Sequence, residues 1–127
     1  MRKETKKIAT AFLRGEKAHS ARTSTDGENV LLHGHCIAWK GGNGDVQFSF
    51  RDYPTVTTRD RINGVLDILG YSCFGVSQRK GEQWLVHNAR KIRKLATTGT
   101  AFCTGELDDF ATTWIKMSGT YSPRRGK

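Results

Sequence analysis

Residues 29–70, NVLLHGHCIAWKGGNGDVQFSFRDYPTVTTRDRINGVLDILG, decide the fold. Residues 29–33 and 35–40 read as strands interrupted at Gly34, because a glycine inside strand patterning marks a bulge or turn. Gly41, Gly42, Asn43 and Gly44 accept the positive φ that a hairpin turn requires. Over 45–50, Val46, Phe48 and Phe50 alternate with Gln47 and Ser49, the pattern of a half-buried antiparallel strand. Pro54 ends that strand. A helix follows with Thr57 or Thr58 as N-cap; with Thr57 as cap, Asp60 falls at N3, where its carboxylate can return a bond to the cap. Ile62, Val65, Leu66 and Leu69 recur at i, i+3, i+4 and i+7, and Gly70 closes the helix.

The flanks extend the same alternation of strand and helix. Residues 3–18 read as a helix with Ile8, Ala9, Phe12 and Leu13 on one face and Lys3, Lys6, Lys7, Arg14 and Lys17 around it. Its basic start opposes the helix macrodipole, a mismatch that nearby phosphates would relieve. Residues 19–29 are polar, with a short strand from about Ala21 up to the Asp26-Gly27 turn. Residues 71–78 and 83–87 form a second hairpin around Arg79, Lys80, Gly81 and Glu82. There Trp84 and Val86 share one face, and the alternation places Trp84 in the core. If 89–95 is helical, Arg90, Arg93 and Lys94 share a face. Leu107, Phe110, Ala111, Trp114 and Met117 mark a last helix, which Gly119 stops. The expectation is one α+β domain over 1–121 and a disordered basic tail over 122–127. The domain is a small, mostly antiparallel sheet of two hairpins joined by a helix, with N- and C-terminal helices.

At 127 residues the chain suits one domain, and its three Trp and six Phe can carry a small core. No run approaches the roughly 20 apolar residues of a membrane span. The start, MRKETKKIATAFLRGEK, lacks the apolar region and cleavage site of a signal peptide. Three widely spaced cysteines, Cys36, Cys73 and Cys103, argue against a disulfide framework and for a reducing, cytosolic setting. The net charge of +9 is concentrated: residues 1–22 carry +5, residues 76–94 carry +5, and residues 23–75 carry −2. Two basic blocks flanking an acidic centre attract polyanions.

Catalytic and metal signatures are weak. His33 and His35 alternate to one side of a strand and Cys36 to the other, without the ligand spacing of a zinc site. Cys36 would need His35 or His87 against it to act as a nucleophile. Asp45, Asp52, Asp60 and Asp67 each have a plain structural role, and the 41–44 glycines lack the lysine and helix of a phosphate loop. No cofactor is expected. The basic residues carry the functional reading: Lys6, Lys7, Arg59, Arg61, Arg79, Lys80, Arg90, Lys91, Arg93 and Lys94 are candidates to track the phosphate backbone of DNA or RNA. Arg59 and Arg61 could pair instead with Asp60, Asp52 or Glu28. Trp84, Tyr71 and Phe74 could stack bases if exposed.

Three stretches carry a resemblance. They are Leu31-Leu32-His33-Gly34-His35-Cys36-Ile37-Ala38, Pro54-Thr55-Val56-Thr57-Thr58-Arg59-Asp60-Arg61-Ile62-Asn63-Gly64-Val65, and Val76-Ser77-Gln78-Arg79-Lys80-Gly81-Glu82-Gln83-Trp84-Leu85-Val86. In this order they make the chain, over about half its length, resemble a small uncharacterised bacteriophage domain family with a PT-x-TTR-(D/E)-R-(L/I)-N helix start. The resemblance implies a phage origin and a fold, and no mechanism. The expected function is therefore a phage-encoded, non-enzymatic nucleic-acid-binding accessory protein of the host cytoplasm. The alternatives are an inhibitor that binds a host protein, such as a defence system or polymerase, and a small metal-dependent nuclease.

Overall fold

Tight hairpins build most of this chain. A computed structural model describes the backbone of residues 2–118 and the side chains of residues 2–113. The elements run α1 (Lys3–Arg14), β1 (Ala18–Ser20), β2 (Thr23–Thr25), β3 (Asn29–Leu32), β4 (His35–Lys40), β5 (Val46–Phe48), α2 (Val56–Leu69), β6 (Phe74–Arg79), β7 (Glu82–His87), β8 (Arg90–Lys94), β9 (Phe102–Cys103) and α3 (Thr104–Ser118). Strands β1 to β5 form an antiparallel meander that β9 completes, and β6 to β8 form a second, three-stranded antiparallel sheet. The class is α+β, as the sequence implies, with more strands than two hairpins. The expected Gly119 stop, the 122–127 tail and the side chains of Trp114 and Met117 lie outside the described residues.

Several expected boundaries move, each for a local reason. Helix α1 stops at Arg14 and not at Ala18, because Gly15 turns left-handed at φ +73°. The Gly15 and Glu16 N–H groups then close back on Phe12 O and Ala11 O, and Ala18 is free to begin β1. The cap of α2 is Thr55, whose Oγ1 accepts from the Thr58 N–H at 3.2 Å; Thr57 and Thr58 lie inside the helix. The segment after β7 is strand β8, not a helix. Asn88 and Ala89 both take positive φ, 50° and 69°, and so form a two-residue hairpin turn that reverses the chain onto β7.

The core lies between the helices and both sheets. Phe12 from α1, Phe48 and Phe50 from and just after β5, Ile62 and Leu66 from α2, Leu85 from β7 and Leu107 from α3 are all fully buried. Each large apolar side chain so buried stabilises the fold by roughly 1.5–3 kcal/mol. Phe48 and Phe102 stack across the β5–β9 pair at 4.7 Å between ring centroids, which draws the segment before α3 onto the first sheet. Helix α3 then starts under the Asp45 carboxylate. A Cβ on Gly105 would meet Asp45 Oδ2 at 2.5 Å, so a side chain there would require the Asp45 carboxylate to swing aside.

Polar side chains on α2 tie it to its neighbours. Arg61, only 5% exposed, donates from Nη1 to Thr5 Oγ1 of α1 at 2.6 Å and to Asp60 Oδ2 at 2.7 Å, and from Nε to Thr23 Oγ1 of β2 at 2.9 Å. The Thr5 hydroxyl in turn donates to Asp60 Oδ2 at 2.5 Å. One helical turn on, the Asn63 amide donates to Val76 O and accepts from Val76 N–H, completing the outer edge of β6 as a neighbouring strand would.

Two stability predictions follow from buried groups. Arg61→Ala leaves Asp60, Thr5 and Thr23 without their partner, and a urea titration should show a loss of about 3 kcal/mol or more. Burial holds His87 below its ordinary pKa of 6.5. Its contribution is complete above that value, because neither state is then protonated. It falls as pH drops toward the folded-state pKa, because the unfolded chain binds the proton first. Urea titrations from about pH 7.5 down to about pH 5 should show this decline, and His87→Gln should flatten it.

Candidate nucleic-acid interface

In an antiparallel sheet, residues paired directly across two strands project from the same face. The β6–β7 register pairs Phe74 with His87, Val76 with Leu85 and Gln78 with Gln83; this face turns to the core except at the hairpin end, where Gln78 is exposed. The opposite face carries Gly75, Ser77 and Arg79 of β6 and Glu82, Trp84 and Val86 of β7. Trp84 is therefore not a core residue. It is half-buried on the outer face, and Gln83 takes the interior place at 2% exposure. Gln83 Oε1 accepts from Arg59 Nη1 at 3.0 Å and its amide donates to Gln78 at 2.8 Å, which is why an amide can be buried there.

A bulge in the β7–β8 pairing then arranges the basic block. Trp84 pairs with Lys94 and Val86 with Lys91, the register shifting between Leu85 and Val86. The extra residue on β8 is Ile92, which is half-buried and packs against the core. The shift brings Lys91 and Lys94, three residues apart, onto the one outer face beside Trp84; such re-aiming of side chains is what bulges do. Lys91 Nζ lies 4.6 Å from the centroid of a Trp84 ring. Lys94 pairs with Glu82 at 2.6 Å, an exposed contact worth at most about 1 kcal/mol. Arg79 lies at the margin, donating to Ser77 Oγ and Ala89 O, and Lys80 stands exposed in the Lys80-Gly81 turn. Gln78, Arg79, Lys80, Glu82, Trp84 and Lys91 together line an open cleft of about 440 Å³.

The other sequence candidates separate. Arg93 faces away from Trp84 and grips α3 through two bonds to Glu106, at 2.5 and 2.8 Å, and one to Ala101 O at 2.5 Å. The Glu106 carboxylate raises its pKa above the ordinary value. Arg90 is exposed on the side of β8 opposite Lys91. Arg59 is spent on Pro54 O, Gln78 and Gln83. Arg61 is buried in the network with Asp60, Thr5 and Thr23, so of the two readings open to it, the internal pair holds. Lys6 and Lys7 are exposed on α1 in a separate basic cleft with Lys3, Arg14 and Lys17, and Lys7 donates to His19 O. Tyr71 and Phe74 are buried, and Tyr71 bonds Asp108.

The groups that first suggest catalysis are dispersed. The His35 ring lies 5.1 Å from Tyr53, Cys36 Sγ contacts Ala38 O and Asn29 Oδ1, and the His87 ring packs against Phe74 and Phe110. Burial pushes the Cys36 thiol above its ordinary pKa, which disfavours a thiolate. Asp45 sits against Gly105, Asp52 accepts from Thr98, Asp60 joins Arg61 and Asp67 is exposed. Among the described residues no three His, Cys, Asp or Glu side chains converge as a metal site requires.

Residues 1–108 match the family model described as Kyanoviridae Gp96 protein. The chain belongs to this bacteriophage protein family. The match reaches from α1 into the first turns of α3, so the Gp96 region contains both sheets and the whole Trp84 face. No curated protein and no solved structure gives a significant match. Among the described residues no helix is long and apolar enough to cross a membrane.

The division between surface and structural cations is measurable. Lys80→Ala should change stability by no more than about 0.5 kcal/mol, whereas Arg93→Ala, which frees Glu106 and Ala101 O, should cost about 1–1.5 kcal/mol in the same thermal or urea titration.

Proposed function

We propose that this Gp96 protein is a non-enzymatic nucleic-acid-binding protein acting in the host cytoplasm, and that it engages its ligand through the outer face of the β6–β8 sheet. The observation that carries the reading is the half-open Trp84 ring with Lys91 over it, and Arg79, Lys80 and Lys94 around it. An indole face bordered by ammonium groups suits a base next to its phosphates once Lys91 moves aside, with little demand on sequence. Neutral side chains fill the rest of this face: Gly75 and Ser77 on β6 are small, and Glu82 is the single carboxylate in register with it. The α1 cations Lys6 and Lys7 are a second place for backbone contact, and a phosphate bound there would relieve the basic start of that helix, which lacks a side-chain cap.

The test is fluorescence anisotropy with labelled DNA and RNA oligonucleotides over a salt series. Binding should weaken steeply with salt. Replacing Lys80, Lys91 and Lys94 together by alanine should lower affinity at least about tenfold and reduce the slope of log K against log salt by about 2–3. An absence of binding at low salt overturns this reading and leaves the acidic surface of a host protein as the partner to test.

A further inference from the structure

The Trp84 cleft continues along the protein surface. Gln78 lines it and also lines the shallow cleft between α2 and β6, together with Val56, Arg59 and Asp60. Val56 stands between Thr55 and Thr57, which line a third cleft of about 460 Å³ at the start of α2. The lining there includes buried Leu32, Ile37 and Phe50, and the open Tyr53 and His35 rings. No lysine, arginine or carboxylate lines this cleft. Its apolar floor and open rings suit a planar group with hydrogen-bonding edges, which the His33 and His35 rings and the Thr57 hydroxyl can meet.

Tyr53 and Val56 are, at 56% and 64% exposure, two of the three exposed large hydrophobic side chains among the described residues. Tyr53 is also held firmly. It follows Arg51 and Asp52, both at positive φ, 50° and 65°, which is uncommon for residues with side chains. The Asp52 N–H bonds Thr97 O at 2.7 Å, its carboxylate accepts from Thr98, and the Tyr53 N–H bonds Phe50 O at 2.9 Å. Backbone strain maintained this way tends to gather at binding sites.

We infer that the ligand is single-stranded nucleic acid, with one unpaired base seated in the Tyr53–His35 cleft and the strand passing over Val56 and Gln78 to the Trp84 face. This rests on the proposed nucleic-acid reading and narrows it. Bases in a duplex are stacked and paired, so their faces cannot enter such a cleft, whereas single strands are bound by stacking on aromatic side chains.

Anisotropy titrations with an unstructured single strand of about 15 nucleotides, the matching duplex, and the same single strand made of abasic sugar-phosphate distinguish the cases. The expected result is that the single strand binds at least about tenfold more tightly than the duplex and the abasic strand. Tyr53→Ala should weaken single-strand binding about tenfold and leave duplex binding unchanged, while Tyr53→Phe keeps most of the affinity. Tyr53 is exposed, so a circular-dichroism melt of the alanine variant should match the parent. Equal affinity for all three ligands, or no effect of Tyr53→Ala, overturns the single-strand assignment and leaves the basic-face reading standing. Binding to none of them overturns both.

Discussion

The buried guanidinium of Arg61 is the constraint around which the two sheets are arranged. A charge taken out of water must find hydrogen-bonding partners on every side, or the fold loses several kcal/mol. Here the partners come from three separate elements: Thr5 on α1, Asp60 on α2 and Thr23 on β2. Satisfying Arg61 therefore fixes α1 and the first sheet against α2. The adjacent polar positions reach the other way, Arg59 to Gln78 and Gln83 and Asn63 to the Val76 backbone, and fix α2 to the second sheet. Helix α2 is thus the joint of the molecule. Its apolar stripe of Ile62, Val65 and Leu66 supplies burial, and Arg59, Arg61 and Asn63 supply register.

Position of charge, more than amount, separates structural from available cations. Ten basic residues stand out as phosphate candidates in the sequence. Arg59, Arg61 and Arg93 are arginines whose planar donors are committed to carbonyl, amide, hydroxyl or carboxylate oxygens within the fold. Lys80, Lys91 and Lys94 remain near the surface, and only one carboxylate, Glu82, shares their face. For Arg59, Arg61 and Arg93 the planar guanidinium is a rigid fork suited to fixed internal partners; Arg79 and Arg90 show that the residue type alone does not decide, because Arg79 lines the cleft and Arg90 is exposed.

What the sequence makes legible depends on whether the signal is local. The α2 stripe with Gly70 and the Lys80-Gly81 turn are local, and both appear where they are read; the 45–50 alternation makes a strand only over Val46–Phe48, and Ser49, read as outward, is fully buried and donates to Gly99 O. Strand β8 is not legible, because RKIRK shows no alternation and its turn, Asn88-Ala89, lacks the glycine that announces a hairpin. The α2 cap is ambiguous because Thr55, Thr57 and Thr58 offer three hydroxyls, and the path of the chain after Pro54 decides among them. Trp84 illustrates the limit for the site. Alternation along β7 separates Gln83 and Leu85 from Trp84, but which set faces inward depends on Arg59, a partner 24 residues away on another element. The basic composition of the interface is readable in one dimension, and its single face, created by the bulge at Ile92, is not.

Strand β8 ends the second sheet among the described residues, so its free side offers unpaired backbone groups to any strand that approaches. Four of its five residues are cationic. Two copies meeting edge to edge would set these rows against each other, and their repulsion would oppose such pairing. That protection is electrostatic and therefore conditional: it works within a screening length of about 10 Å at 0.1 M salt and shrinks to about 3 Å at 1 M. Raising the salt would therefore weaken the electrostatic opposition to pairing along the β8 edge.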